Sequence, residues 1–156
     1  MNKTLLIFIF MVIFLCACGN NAEIFQKQTE KETRVLVLND VLTALNDAAI
    51  QYLKRAESNS AYDLEREGAE RHLFQLESGN LTIYIFSNVA MRREVQRDPF
   101  PTAGAVPPNG SYGMDKVLVF YFDGDTTIAQ KLKEAFEPLG VEEQSQLEML
   151  AHKTDH

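Results

Sequence analysis

The rhythm of apolar positions changes along this chain, and each change marks an element. Leu38, Val41, Leu42, Leu45, Ala49, Tyr52 and Leu53 recur at spacings of three and four, the mark of one apolar helix face. The spacing predicts one long helix ending near Arg55 and Ala56. In the alternative, residues 34–38 (RVLVL) form a strand and Asn39 or Asp40 caps a shorter helix. Residues 57–60 (ESNS) read as a linker. Residues 62–76 carry Gly68 at mid-length and read as strand, turn, strand, with His72, Phe74 and Leu76 on one face. Ser78-Gly79-Asn80 is a tight turn, and LTIYIF at 81–86 completes a hairpin rich in β-branched and aromatic residues.

Beyond the hairpin the rhythm returns to helix. Ser87 or Asn88 can cap a short helix over 89–97, which Pro99 stops. Residues 98–116, opening at Asp98 and closing at Lys116, hold four prolines and three glycines and read as a long irregular loop, the kind of segment that carries function. VLVFYF at 117–122 is apolar on both faces, as suits a strand at a sheet centre covered on both sides, or covered on one side and occluded on the other. Asp123-Gly124 reads as a turn in which Gly supplies the unusual φ. Asp125 then caps a second amphipathic helix over 126–136, ended by Pro138 and Gly140. Residues 141–150 read as a further short helix and 151–156 as a frayed charged tail. The order of elements predicts an α+β fold: a small, mostly antiparallel sheet of three to four strands packed with two or three helices.

The front of the chain follows a different logic. Lys3 precedes LLIFIFMVIFL at 5–15, an apolar run too short to cross a ~30 Å hydrocarbon core. A positive start and a short apolar run describe a secretory signal. Directly after the run, Leu15-Cys16-Ala17-Cys18 resembles the lipobox of bacterial lipoproteins. That resemblance implies lipid on the Cys18 sulfur and cleavage before it. The expected layout is a lipoprotein signal peptide over 1–17, a lipid-anchored polar tether over 18–31 and one α+β domain over 32–150. The expected location is the extracytoplasmic face of the cell membrane. The chain as a whole resembles small, functionally uncharacterised lipoproteins of Bacillus-like Gram-positive bacteria, which implies an anchored domain and no particular activity.

Composition narrows the chemistry. The net charge of -7 offers nothing to counterion release on DNA or RNA, so a nucleic-acid partner is not expected. The two cysteines are Cys16 and Cys18. With both in the signal region, disulfides, thiol catalysis and cysteine-based zinc sites drop out together.

One motif demands a chemical test. VFYFDGDTTI at 119–128 resembles the aspartate loop of haloacid-dehalogenase-type phosphatases. The resemblance implies that Asp123 attacks phosphorus, Asp125 protonates the leaving group, and both hold Mg²⁺, with Thr127 matching the motif's Thr. The family builds this loop into a parallel, doubly wound sheet, which needs crossovers of ~30 residues each. The residues after Ile128 offer one clear helix and no strand. A turn and a helix cap account for the same residues. Asp123 and Asp125 also fall short of the ligand count a calcium site requires. His72 sits mid-strand and His152 and His156 in the tail, so no catalytic residue, metal ligand set or cofactor is expected. Arg92, Arg93 and Arg97 could meet an anionic partner, but read more simply as a solvated helix face beside Glu94. Tyr84, Phe86, Phe120, Tyr121 and Phe122 read as core rather than pocket lining. The expectation is a non-enzymatic binding or structural module that meets a protein partner through the 98–116 loop, with Phe100 and Tyr112 on it. The alternative is a small-ligand or cation-binding accessory protein using that loop and the Asp123–Asp125 turn.

Overall fold

The computed structural model describes residues 35–58, 60–99 and 106–143. In chain order its helices are α1 (Leu38–Asp47), α2 (Val89–Arg97) and α3 (Thr126–Phe136). Its strands are β1 (Tyr52–Lys54), β2 (Ala69–Leu76), β3 (Asn80–Phe86), β4 (Gly110–Met114), β5 (Val117–Phe122) and the two-residue β6 (Glu142–Glu143). Every pairing is antiparallel, in the order β1-β2-β3-β5-β4-β6. The α+β class follows from the sequence as read. The strand count does not: five strands of three residues or more replace the expected three to four.

β5 lies between β3 and β4, and all six of its residues are buried. Its apolar character on both faces is what such a position requires. Val117, Val119 and Tyr121 face a core closed by Val41 and Leu45 of α1 and by Leu132 and Phe136 of α3. Leu118, Phe120 and Phe122 face a second, aromatic core with Tyr62, Tyr84 and Phe86, flanked by Met91 and Val95 of α2. The sheet is therefore covered on each side.

Four expectations about element type or extent failed, the first two where turn chemistry was disguised. The long helix stops at Asp47 because Ala49 turns left-handed, with φ 54. Ile50 N donates to Leu45 O and Ala49 N to Asn46 O, both at 2.9 Å, which is a Schellman ending without its customary glycine. Tyr52 and Leu53 then belong to the edge strand β1, and Leu53 is exposed rather than in the helix core. At the front of α1, Val37 N donates to the Asp40 carboxylate at 2.9 Å, so Asp40 is a first-turn residue and not the cap itself. The second disguise is in the 98–116 segment, which ends in β4 rather than in loop. Met114 pairs with Val117 across Asp115-Lys116, and Asp115 takes φ 47, a left-handed turn position that suits Gly, Asn or Asp. Similarly, the expected strand at Tyr62 is a short 3-10 turn, Ala61–Asp63, and 142–143 pair as strand rather than helix. Residues 144–156, like Phe100, lie outside the described residues.

The basic helix α2 corrects a further expectation. Arg92 is not solvated: it is the largest fully buried side chain among the described residues. Its Nη1 donates to Gln96 Oε1 at 2.6 Å and to Glu142 Oε2 at 3.0 Å, and its Nε donates to Asp115 O at 2.9 Å. It lies against Gly113, where an added Cβ would sit 2.4 Å from Nη1. Arg93 grips the same carboxylate from outside at 2.7 Å. Hydrogen bonds from Arg93 first, and then from Arg92, outweigh partial burial and hold the Glu142 carboxyl at about 2, against an ordinary 4.5.

A lowered folded-state pKa stabilises the fold above the ordinary value and ceases to do so as pH falls through the lowered one. Glu142 is half-exposed, so water replaces part of any lost charge. Glu142→Gln should lower stability by about 1–2 kcal/mol at pH 7, chiefly through buried Arg92. In urea titrations at stepped pH, the gap to the parent protein should close between pH 4.5 and about 2. A pH-independent gap would refute the pairing. Ala49→Gly should raise stability by about 0.5–1 kcal/mol, because glycine adopts the left-handed turn without a Cβ penalty; a loss would contradict the αL ending.

Candidate functional site

The site begins with the turn that joins β5 to α3. Asp123 takes φ 53, a left-handed conformation that Asp tolerates better than most residues. The unusual φ is therefore Asp123's, not Gly124's as expected. Gly124 is required for a different reason: a Cβ there would lie 1.9 Å from the Tyr121 hydroxyl. That hydroxyl accepts from Asp125 N and donates to Ser78 O, both at 2.9 Å, and so ties the β2–β3 turn to the β5–α3 turn.

Asp125 is committed to the helix. Its Oδ1 accepts from Ile128 N at 2.9 Å, the cap expected from sequence. That backbone bond, and next a bond from the Ser78 side chain, hold its carboxyl below the usual carboxylate range. Asp123 is exposed at the rim. The aspartate loop thus sits at the end of a central strand, but the sheet is antiparallel, where the phosphatase family's is parallel.

Across from the turn lies the segment Ala61–Asp63, and a buried carboxylate fixes it there. Asp63 is fully buried, accepts from both terminal nitrogens of Arg55 at 3.1–3.2 Å and from the Thr82 hydroxyl, while its backbone carbonyl accepts from Arg71. Ser60 Oγ caps the turn by accepting from Tyr62 N at 3.2 Å. Tyr62 is thereby packed against Phe120 and Phe122, at centroid distances of 5.2 and 5.4 Å. Its hydroxyl donates to Val106 O at 2.5 Å, and Asn109 Oδ1 accepts from Gly124 N at 3.1 Å. Residues 106–109, just ahead of β4, are pinned at both ends.

These contacts border an open pocket of about 320 Å³ lined by Ser60, Ala61, Tyr62, Val106, Pro107, Asn109, Phe122, Asp123 and Gly124. Burial pushes the Tyr62 phenol up to about 12, against a smaller opposing pull from Arg66, so it remains a neutral donor at physiological pH. The pocket joins the candidates named from sequence, the 98–116 segment and the Asp123 turn, which the chain order alone leaves apart.

Other candidates fall elsewhere. Tyr112 is core: its hydroxyl donates to Ala129 O at 2.8 Å and its ring meets Phe136 edge-on. Of the aromatics read as core, Tyr84, Phe86, Phe120 and Tyr121 are, while Phe122 also lines the pocket. His72 is half-buried in β2 beside Glu70. Among the described residues no three His, Cys, Asp or Glu come together, and no helix is long and apolar enough to cross a membrane. Cys18, His152, His156, the 1–17 signal and the 18–31 tether lie outside the described residues. Tyr62, Ser60 and Asn109 were missed from sequence; the Asn109-Gly110 pair was the available signal that chain reversal, and not featureless loop, precedes β4. Comparison with protein-family models, with curated proteins and with solved structures finds no match to this chain.

Tyr121→Phe should cost about 1–2 kcal/mol, since it strips the partners of Ser78 O and Asp125 N. Asp123→Asn should change stability by less than about 0.5 kcal/mol, because the residue is exposed and Asn also tolerates αL. Urea midpoints compare the two; a larger loss for Asp123→Asn would mean that the Asp123 carboxylate is structural.

Proposed function

We propose that this chain is an extracytoplasmic lipoprotein. A small α+β domain is held at the outer face of the cytoplasmic membrane by lipid on Cys18 and acts as a non-enzymatic binding module. Its ligand site is the pocket between the Ala61–Asp63 turn and the β5–α3 turn. The observation that carries the anchor is Leu15-Cys16-Ala17-Cys18 placed directly after the apolar run. Lipobox processing attaches acyl chains at one residue, and two chains anchor a protein stably where one does not.

The chemistry of the pocket supports binding over turnover. Asp125 is engaged as a helix cap and Tyr62 is held neutral. Ser60 has no histidine or lysine beside it among the described lining residues to act as its base. What remains is a shaped site with an aromatic floor, a few polar groups and one carboxylate, the usual makeup of a recognition site.

Metabolic labelling of the full-length protein with a clickable palmitate analogue in a Gram-positive host tests the anchor. The parent protein should label and sediment with membranes, and Cys18→Ser should lose the label and shift to the soluble fraction. Unchanged labelling and sedimentation in Cys18→Ser would overturn the anchor.

A further inference from the structure

We infer that the pocket takes a small organic cation, an ammonium or guanidinium group carried on an apolar body. This deepens the reading of the pocket as the ligand site and rests on it. Asp123 carries the one formal charge among the described residues that line the pocket. No lysine or arginine joins it there, so an anion would meet a carboxylate with no compensating charge. The chain's net charge of -7 adds a long-range field of the same sign, which draws cations and repels anions.

The remaining surface suits the apolar part of such a ligand. Val106 and Pro107 form one side, and the largely buried rings of Tyr62 and Phe122, packed on each other at 5.4 Å, lie beneath. The volume of about 320 Å³ is at the small end of ligand sites.

The same donor set argues against a metal ion. Calcium takes six to eight oxygen ligands, and magnesium a near-ideal octahedron. Here one carboxylate is at hand, Asp125 is spent on the Ile128 amide, and Asn109 Oδ1 accepts from Gly124 N. A monovalent organic cation needs a single counter-charge and an apolar wall, and both are present.

The test uses full-length protein in nanodiscs of zwitterionic lipid, titrated with three probes of one shape: phenethylammonium, 2-phenylethanol and phenylacetate. The readout is the amide NMR signals of Asn109 and Gly124. Phenethylammonium should shift both saturably, and Asp123→Asn should weaken it roughly tenfold. Phenylethanol should bind more weakly and be indifferent to the substitution, and phenylacetate should not bind. Equal affinity for the alcohol and the amine, or an amine affinity unchanged in Asp123→Asn, would overturn the cation assignment while leaving the pocket a ligand site. No shift with any probe up to about 10 mM, the range expected of so small a ligand, would overturn both. Binding of phenylacetate alone would reverse the assigned charge. Signals from the β2–β3 hairpin, unchanged in Asp123→Asn, serve as the control for folding.

Discussion

The carboxylate of Asp63 is shut away from water, and much of the aromatic side of the molecule is arranged around that fact. An isolated buried charge is too costly to keep, so it must be paired and its lone pairs filled. Arg55 reaches it from the strand β1 exit and Thr82 from β3, while Arg71 takes the backbone carbonyl of the same residue. These bonds tie the chain between β1 and β2 to the sheet face. Tyr62 is carried along with them. Its ring completes the aromatic core, and its hydroxyl fastens Val106. Loosening Asp63 would therefore affect a core and a pocket together.

A second buried charge organises the opposite sheet edge. Arg92 draws Gln96, the carbonyl of Asp115 and the carboxylate of Glu142 to one place. The Gln96 amide also donates to Glu142 O at 2.8 Å. Short as it is, β6 is held by side chains as much as by its ladder with β4. The consequence for the surface is plain. Much of the basic charge of α2 is consumed inside the protein or on Glu142, which leaves little there for an anionic partner. The cost is conformational constraint at Gly113, where any side chain would displace the guanidinium.

The aspartate turn shows how one short sequence can serve packing and exposure at once. Tyr121 points into the sheet side and uses its hydroxyl to lock two turns. Gly124 must stay bare to let that hydroxyl in. Asp125 closes the helix, and Asp123 faces outward at the pocket rim. The resemblance to a phosphatase loop arises because a strand, a turn and a capped helix need many of the same residue types. Catalysis of that kind would also need the parallel strands that bring further groups to the loop, and here the neighbours of β5 run antiparallel.

By itself the sequence determined the elements whose signals are local. The start of α2 at Ser87 or Asn88, with Asn88 the one that caps, and of α3 at Asp125 is legible because a side-chain oxygen there caps free amides; the β2–β3 hairpin follows from Ser78-Gly79-Asn80; and β5 reads as central because it is apolar at every position. The acidic balance and the restriction of cysteine to positions 16 and 18 are likewise properties of the chain alone. Tertiary structure decided what depends on distant partners. Ala49 takes a left-handed turn that its identity does not announce, because burial of Leu45 and Ile50 outweighs the local cost. Arg92 became core because Glu142, some fifty residues away, could meet it. The pocket exists only because Tyr62, Asn109 and Asp123, far apart in sequence, are bound to one another's segments by hydrogen bonds that no periodicity encodes.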